Sequence, residues 1–406
     1  MFSFQSAATK YKSKTNITMQ HVLTSSASTP LPCLMKPFVT TSINVNPNIP
    51  TQYFNGNQLK TLYSIPTVIP ASGKKQVIIA IIIAYSYPNL QSDLTNYWTN
   101  YSNFGTSNIP KPIVHVHTMS GATFDAGWAL EECLDVQMVC TINPYANIWV
   151  VEATSSNPSD LLTAVQYASQ ILHADIISMS WGTDDTSTIS TPKNNAYFTN
   201  PAVCYCASSG DANTVSWPAV SSNCMAIGGT TLLWNGGTNK TEFTWVNAGS
   251  GYSTTIVKPT YQSNVNMTTK RCIPDVSMIA GDSSLVYVYY SYKTTNPWIA
   301  TGGTSVSTPL FAAILSLANQ ERFNVGKTAL TTVSSSSSTH IQTYLYKNIL
   351  TNSQKYVSTF NDISIGNDTA GNKSPIYNAT LGFDIATGIG SPNATALCIE
   401  LVTNLS

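Results

Sequence analysis

The chain has 406 residues, 43% of them hydrophobic, and is therefore long enough to bury a large core. Asp, Glu, Lys and Arg make up only 9% of the residues and their charges cancel at pH 7, which argues against nucleic acid and anionic membrane surfaces as partners. The longest aliphatic run, Val77–Tyr85, is too short to span a bilayer, and the first residues contain no apolar segment of signal-peptide length.

The chain begins with a polar stretch, residues 1–46, that is rich in Ser, Thr and Pro, and we expect a loosely structured extension there. Residues 47–406 are expected to form one domain. Its continuous apolar strands, separated by helices, indicate an α/β fold with a mainly parallel central sheet and helices on both faces. The predicted strands are 76–85, 147–153, 175–181, 202–210 and 224–230; the predicted helices are 122–140 and 159–173, the second opened by a Ser-Asp cap.

Eight cysteines are spread along the chain without any paired C-x-x-C spacing, so a structural zinc site is not expected. We expect buried thiols rather than disulfides. The residues are Cys33, Cys133, Cys140, Cys204, Cys206, Cys224, Cys272 and Cys398.

The segment GGTSVSTP, residues 302–309, stands directly before the apolar run LFAAILSLA. This pattern predicts that Ser305 lies where a loop enters a helix, with Pro309 in the first helical turn. A serine there has an exposed hydroxyl, free N–H groups beside it and a favourable dipole for negative charge. These properties suit a nucleophile, and they equally suit an ordinary capping residue.

A nucleophilic serine needs a base, and the sequence offers two kinds. His115 and His117 lie at a predicted strand-to-loop transition, IVHVHTMSG. In LEECLD, Glu131 and Asp135 are one helical turn apart, so both carboxylates point the same way. Two partly buried carboxyls this close share a proton and titrate as a unit, which gives a base that works at acidic pH. Glu132, three residues from Asp135, fits the spacing as well.

A third acid, Asp211, follows a predicted strand in the glycine turn of ASSGDANT. A carboxyl that keeps its proton there could donate a hydrogen bond to the oxyanion formed when a serine attacks a peptide carbonyl. One such donor contributes about a hundred- to a thousandfold in rate. The same Ser-Gly-Asp sequence is also typical of a simple turn.

Taken in order, these segments resemble the sedolisin family, the serine-carboxyl peptidases, which have a subtilisin-like fold. The resemblance runs over most of residues 49–392 and includes EECLD, IISMSWG, ASSGD, KRCIPDVSMIAGD, GGTSVSTP and TGIGSP. Gly-Thr-Ser alone is shared with subtilisins, whereas the series Glu-x-x-x-Asp, Ser-Gly-Asp and Gly-Thr-Ser-x-x-x-Pro in this order is specific.

The resemblance implies that Ser305 is the nucleophile, Glu131 the general base, Asp135 its proton-sharing partner and Asp211 the oxyanion donor. The enzyme would be a monomer that hydrolyses a peptide or unfolded protein at acidic pH through an acyl-enzyme, as an endopeptidase or a tripeptidyl-peptidase. The resemblance also implies that an extended substrate pairs its backbone with two short segments. Their residues are Ser180, Trp181, Gly182, Gly249, Ser250 and Gly251.

The resemblance further implies one structural calcium ion near the C-terminus. Two carboxylates and several main-chain carbonyls form the hard-oxygen set that calcium prefers. The expected ligands are the side chains of Asp362 and Asp384 and the carbonyls of Ile363, Thr380 and Gly382. Thr380 departs from the family, which usually has glycine at that position.

Two other functions are compatible with the same residues. A subtilisin-like enzyme that uses His115 or His117 would work at neutral to alkaline pH, and a catalytically idle binding or structural protein could share the scaffold. All four residues of the carboxyl-dependent set are present, which favours the enzyme. Family members usually carry a long N-terminal prodomain, whereas here the peptidase-like region starts near residue 49, behind a short extension. An acidic compartment or an extracellular location is expected by resemblance.

Overall fold

The computed structural model describes residues 36–37, 51–99, 109, 111–212, 214–236, 240–265, 267–333, 338–368 and 375–406. These ranges all belong to the unit Cys33–Ser406, and residues Met1–Pro32 lie outside them. The prediction of a loosely structured extension over residues 1–46 therefore falls outside the described residues, except at Lys36 and Pro37.

The described ranges contain strands and helices throughout. The strands are β1 (Lys36–Pro37), β2 (Gln52–Phe54), β3 (Ile78–Ala84), β4 (Val114–Thr118), β5 (Asn147–Ala153), β6 (Ile176–Met179), β7 (Trp181–Asp184), β8 (Cys204–Ser208), β9 (Ser216–Trp217), β10 (Cys224–Trp234), β11 (Lys240–Thr244), β12 (Gly251–Val257), β13 (Lys270–Ile273), β14 (Val276–Ile279), β15 (Ser284–Tyr289), β16 (Trp298–Thr301), β17 (Phe360–Asn361) and β18 (Ser391–Pro392). The α-helices are α1 (Gly56–Leu62), α2 (Leu90–Tyr97), α3 (Ala126–Ile142), α4 (Pro158–Gln170), α5 (Pro192–Asn195), α6 (Thr304–Asn324), α7 (Ile341–Tyr344), α8 (Ser353–Thr359) and α9 (Ala394–Thr403). None of these helices combines the length and the apolar character needed to cross a membrane.

The central sheet has eight strands, in the order β11-β10-β8-β6-β3-β5-β4, with β14 also paired to β10. Its neighbours run parallel, apart from β11, which is antiparallel to β10. Residues 79–83 of β3 are fully buried, and a strand covered on both faces shows no alternation of apolar and polar residues. The predicted α/β class with a mainly parallel sheet and helices on both faces is confirmed.

The strand predicted over 175–181 is in fact two strands. β6 ends at Met179 and joins the parallel sheet, whereas β7 begins at Trp181 and leaves it to pair antiparallel with β9. Ser180 lies at the break between them. Because a parallel sheet places catalytic groups at the carboxyl ends of its strands, this break brings Ser180 to the edge where the site is expected.

Both predicted helices exist with shifted starts. α3 begins after Asp125, whose carboxylate caps the helix by accepting from the N–H groups of Gly127 and Trp128. α4 begins at Pro158, so Ser159 and Asp160 lie inside the first turn and do not form the predicted cap. Proline suits the first helical position because its missing N–H has no intrahelical partner there.

The position of Pro309 differs from the prediction. α6 begins at Thr304, directly after Gly303 (φ 106°), so Pro309 lies inside the helix rather than in its first turn. Proline has no N–H to donate to the carbonyl four residues earlier, which is that of Ser305. The carbonyl of Ser305 therefore receives no helical hydrogen bond from residue 309.

The cysteines in the described ranges are all buried and form no disulfide. They behave as small apolar residues of the interior, as expected from the sequence. Cys33 lies outside the described residues.

Candidate active site

Ser305 lies in the first turn of α6 and is buried, although an exposed hydroxyl was predicted. Its hydroxyl donates to the carbonyl oxygen of Ser180 at 3.2 Å. The side chain is therefore turned towards the break between β6 and β7, which covers it from solvent. The prediction that Ser305 stands at the entry of a helix is otherwise correct.

Ser180 connects two of the predicted catalytic residues. Its carbonyl accepts the bond from Ser305, and its hydroxyl donates to Oδ1 of Asp135 at 2.7 Å. Both Ser180 and Asp135 are fully buried. Sequence reasoning assigned Ser180 to substrate binding alone and predicted a continuous strand over 175–181, so it gave no signal for this second contact.

Glu131 is buried one helical turn before Asp135 on α3, as the spacing predicted. Burial, followed by the negative charge of Asp135, raises the pKa of Glu131 well above its usual range, and the neighbouring Ser305 hydroxyl acts in the opposite direction. Burial raises the pKa of Asp135 as well. Within the described residues neither carboxyl oxygen of Glu131 has a hydrogen-bond partner. An unpartnered buried carboxyl beside a serine is suited to accept its proton, since catalytic bonds often tighten only when substrate binds.

Asp211 contacts Thr304, the residue before Ser305. Its Oδ1 accepts from the N–H of Thr304 at 2.8 Å and from the Thr304 hydroxyl at 2.7 Å. Its Oδ2 is buried and has no partner among the described residues. Burial raises the pKa of Asp211 to about 7, against the lowering effect of the two Thr304 bonds. Below that pH the group carries a proton that Oδ2 can donate.

Glu132, the alternative base, interacts mainly with a different carboxyl group, that of Glu152. It is buried against Glu152, and burial, followed by the negative charge of Glu152, raises the pKa of Glu132 well above its usual range. Glu152, at the end of β5, accepts hydrogen bonds from the N–H of Tyr87 at 2.9 Å and from the hydroxyl of Thr118. This second pair of carboxyls was missed, although a lone Glu in the apolar strand NIWVVEA was its signal.

The histidines of the described ranges make no hydrogen bond to Ser305. His115 and His117 lie on β4, at the edge of the sheet, where they stack on Trp149 (ring centroids 4.7 Å apart) and Tyr167 (3.9 Å). Strands β5 and β3 separate β4 from β6, whose end leads to Ser180. The subtilisin-like alternative that uses these histidines therefore has no geometric support.

Each of the two segments expected to bind substrate contacts the residues around Ser305 and Asp211. Trp181 and Gly182 open β7, directly after Ser180. In the other segment, Gly249 donates its N–H to the carbonyl of Gly210 at 2.7 Å, immediately before Asp211. A Cβ on Gly249 would lie 2.0 Å from the carbonyl oxygen of Ser209, so only glycine permits this approach.

The edge of β7 is occupied by the chain itself. Lys36 and Pro37 form β1 and run antiparallel to β7, with Lys36 opposite Gly182 and Pro37 opposite Trp181. Strands β1, β7 and β9 thus make a small antiparallel sheet. The described part of the N-terminal extension therefore pairs with one of the segments predicted to bind substrate.

The five predicted calcium ligands are close together. Oδ2 of Asp362 accepts from the N–H of Gly382 at 2.9 Å, and Oδ2 of Asp384 accepts from the N–H of Thr380 at 3.0 Å. Ile363 follows Asp362 and is buried. Neither carboxylate forms an ion pair with a Lys or Arg of the described residues.

The donor set of this loop fits a calcium ion. Two carboxylates without a basic partner, each hydrogen-bonded to the backbone of residues 380–382, supply the hard oxygens that calcium binds. Burial raises the pKa of Asp384 to about 6, as is typical of a carboxylate with no cation beside it. The described residues contain no group of three His, Cys, Asp or Glu side chains placed to hold a metal, so main-chain oxygens would have to complete the shell.

Comparisons with known proteins place the chain among peptidases. The profile of the subtilase family matches residues 76–378. Kumamolisin of Bacillus sp. (strain MN-32) is 28% identical over 303 residues, which are 67% of this chain and 51% of kumamolisin. Sedolisin of Pseudomonas sp. (strain 101) is 31% identical over 211 residues, which are 48% of this chain and 32% of sedolisin.

The same likeness appears among solved structures. A Pseudomonas sedolisin, complexed with two molecules of pseudo-iodotyrostatin, superposes with a TM-score of 0.69 at 22% identity, over 88% of this chain and 99% of that one. This similarity shows the fold. The chain spans about a third to a half of the length of the two curated relatives above.

Proposed function

Since the chain belongs to the subtilase family, we propose that it is a serine-carboxyl peptidase that hydrolyses peptide bonds at acidic pH. One observation carries the proposal. Near the buried Ser305 hydroxyl lie the unpartnered carboxyl group of Glu131 and the unpartnered Oδ2 of Asp211, whose Oδ1 is bonded to Thr304, and no histidine of the described residues bonds to the hydroxyl. Its likeness to kumamolisin and sedolisin supports the same reading.

In the proposed reaction the hydroxyl oxygen of Ser305 attacks the carbonyl carbon of the scissile bond and passes its proton to Glu131. Asp135 shares a proton with Glu131 and is itself fixed by the Ser180 hydroxyl. Breakdown of the tetrahedral intermediate gives the Glu131 proton to the leaving amine and leaves an acyl group on Ser305. Water then attacks this ester with the same carboxylate as base, which frees Ser305 and the acid product.

The oxyanion of each tetrahedral intermediate would be stabilised by two donors. One is the backbone N–H of Ser305, at the start of α6, and the other is the protonated Oδ2 of Asp211. This donor exists only while Asp211 holds its proton, so the reaction weakens as the pH rises through about 7. At low pH, protonation of the Glu131–Asp135 pair removes the base. The mechanism therefore gives an optimum on the acidic side.

The proposed function is tested by following the cleavage of an unfolded, fluorescently labelled protein from pH 3 to 8. We expect cleavage only on the acidic side, and its near-complete loss in Ser305→Ala because the acyl-enzyme can no longer form. Ser358→Ala, which removes an exposed hydroxyl that bonds only locally to the carbonyl of Lys355, is the matched control and should retain full activity. Absence of cleavage by the parent at every pH would instead support an idle scaffold.

We also propose that one structural calcium ion is bound by Asp362 and Asp384 with the carbonyls of Ile363, Thr380 and Gly382. When bound, the ion supplies charge compensation and cross-links residues that are distant in the chain. Calcium at about 100 times its Kd would stabilise the fold by about 2.7 kcal/mol. Chelation is therefore expected to lower the melting temperature, and Asp362→Ala should remove the response to calcium. A melting temperature that does not change on chelation would contradict the site.

A further inference from the structure

Ser250, one of the residues expected to bind substrate, is held by a carboxylate from a distant part of the chain. Its hydroxyl donates a short hydrogen bond to Oδ2 of Asp368, and both side chains are buried, with Asp368 0% exposed. Asp368 takes no part in the catalytic set, and it is not one of the expected calcium ligands. A fully buried carboxylate that bonds to a substrate-binding segment requires an explanation.

Asp368 is itself fixed by a short two-stranded arm, which we define as residues 366–368 and 377–379. The N–H of Tyr377 donates to Oδ1 of Asp368 at 2.6 Å, and the N–H of Asp368 donates back to the carbonyl of Tyr377 at 3.2 Å. Next to this pair, on the side of Gly366, Asn367 and Asn378 form an antiparallel bridge. Each oxygen of Asp368 thus has a defined partner, one within the arm and one on Ser250.

The arm also packs along the segment that contains Ser250. The ring of Tyr377 meets the ring of Tyr252 edge to face, with centroids 5.9 Å apart. A Cβ on Gly251, which has φ 133°, would lie 3.4 Å from the Tyr377 ring. At the other end of the arm, a Cβ on Gly366 would lie 3.2 Å from the backbone nitrogen of Thr244, whose N–H donates to the carbonyl of the preceding residue, Ile365, at 3.0 Å. The arm therefore contacts the chain on both sides of Ser250.

Through Ser250 the arm is connected to the catalytic group. Gly249 donates to the carbonyl of Gly210, and Gly210 precedes Asp211, whose Oδ1 holds the N–H of Thr304 next to Ser305. Asp368 is thus linked to the loop that carries Asp211 through two adjacent residues, Ser250 and Gly249. A displacement of Ser250 would change where the segment presents its backbone to a peptide, while the Asp211–Thr304 bonds would remain.

We propose that Asp368 is a positioning residue for substrate binding, which fixes the Ser250 hydroxyl and thereby holds Ala248–Gly251 in the conformation that pairs with an extended peptide. The inference rests on the proposed peptidase function. Asp368 acts on the substrate-binding segment through its bond with Ser250, so we expect it to affect the affinity for the peptide and to leave the chemical step nearly unchanged. This separates its role from that of Glu131 or Asp211.

The test compares Asp368→Ala with Asp368→Asn. Asn has the same shape, and its oxygen can accept from Tyr377 while its amide donates to the Ser250 hydroxyl, so it should preserve the arrangement. With a reduced and alkylated, fluorescently labelled protein as substrate, we expect Asp368→Ala to raise KM about tenfold and to change kcat by less than about twofold. Asp368→Asn should restore most of the affinity.

Affinity is also measured without turnover. In a Ser305→Ala background, the Kd for the same labelled protein should rise about tenfold with Asp368→Ala. Ser250→Ala should have a similar effect, and the double variant should be no weaker than either single one, because both remove the same bond. Asp160→Ala, which removes another serine–aspartate bond (Ser155 to Asp160, 2.6 Å), is the matched control and should leave Kd unchanged. Circular dichroism checks that each variant is folded. If Asp368→Ala does not fold, Asp368→Asn and Ser250→Ala are compared with the parent instead.

An unchanged Kd and KM in folded Asp368→Ala would overturn the inference. Equal losses in Asp368→Asn and Asp368→Ala, or a fall in kcat as large as the rise in KM, would also overturn it, since both outcomes indicate general damage. The failure of the proposed function is recognised separately, because the parent would then cleave nothing at any pH while the Kd comparison still reports on Asp368.

Discussion

Glu131→Gln is expected to lower kcat by about 10²- to 10⁴-fold with a smaller change in KM. Gln keeps the volume of the buried side chain, but it cannot take the proton from Ser305. Burial and the charge of Asp135 raise the pKa of Glu131, and under the proposed mechanism the variant lacks the group that accepts the Ser305 proton and returns it to the leaving amine. Initial rates with the labelled unfolded protein, measured at the pH of maximal activity, give the comparison.

Glu132→Gln is the matched control. It makes the same change at the next residue of the same buried helix, where the carboxyl interacts mainly with Glu152. We expect this variant to lose no more than a small factor in kcat. A reversed result, with Glu132→Gln inactive and Glu131→Gln active, would show that the base is Glu132. Full activity in both variants would remove the carboxylate base from the mechanism.

Two replacements of Asp211 test whether it acts by donating a hydrogen bond. Asp211→Ala is expected to lower kcat by about 10²- to 10³-fold, as is typical when an oxyanion donor is removed. Asp211→Asn keeps an acceptor for the Thr304 N–H and places an amide N–H where Oδ2 stands, so a donor is present at every pH. We therefore expect Asn to retain much of the activity.

The pH profile is the sharper measurement for Asp211. Burial gives the carboxyl a pKa of about 7, and the parent loses its donor as the pH rises through that value. The Asn variant does not titrate there, so its activity should extend further towards neutral pH, up to the limit set by the other groups. A profile identical to that of the parent, together with losses equal to those of Asp211→Ala, would contradict a role as oxyanion donor.

Much of the fold could be predicted because it depends on local patterns. The apolar run Ile78–Ala84 indicates a strand buried on both faces, and the four-residue spacing of Glu131 and Asp135 fixes their common helix face. The position of Ser305 at a helix start follows from the glycines before it and the apolar run after it. These features need no knowledge of distant contacts.

The remaining features depend on contacts between segments far apart in the chain. Ser180 bonds to Asp135 across 45 positions, and Ser250 bonds to Asp368 across 118. Glu152 could be noticed as a charge in an apolar strand, but its partner Glu132 could not be identified from spacing. Whether a carboxyl pairs with a hydroxyl, a carboxyl or a metal is decided by the packing of the elements that carry them.

The pairing of Lys36 and Pro37 with Gly182 and Trp181 has a consequence for any extended chain that arrives from solution. One side of a strand offers a single row of N–H and C=O groups, and a second chain cannot bond to a row that is already taken. An incoming peptide must therefore displace these two residues before it can align with β7. The peptide and β1 therefore compete for the same backbone groups. The apparent Kd of a peptide for β7 is raised by the free energy needed to separate β1 from β7.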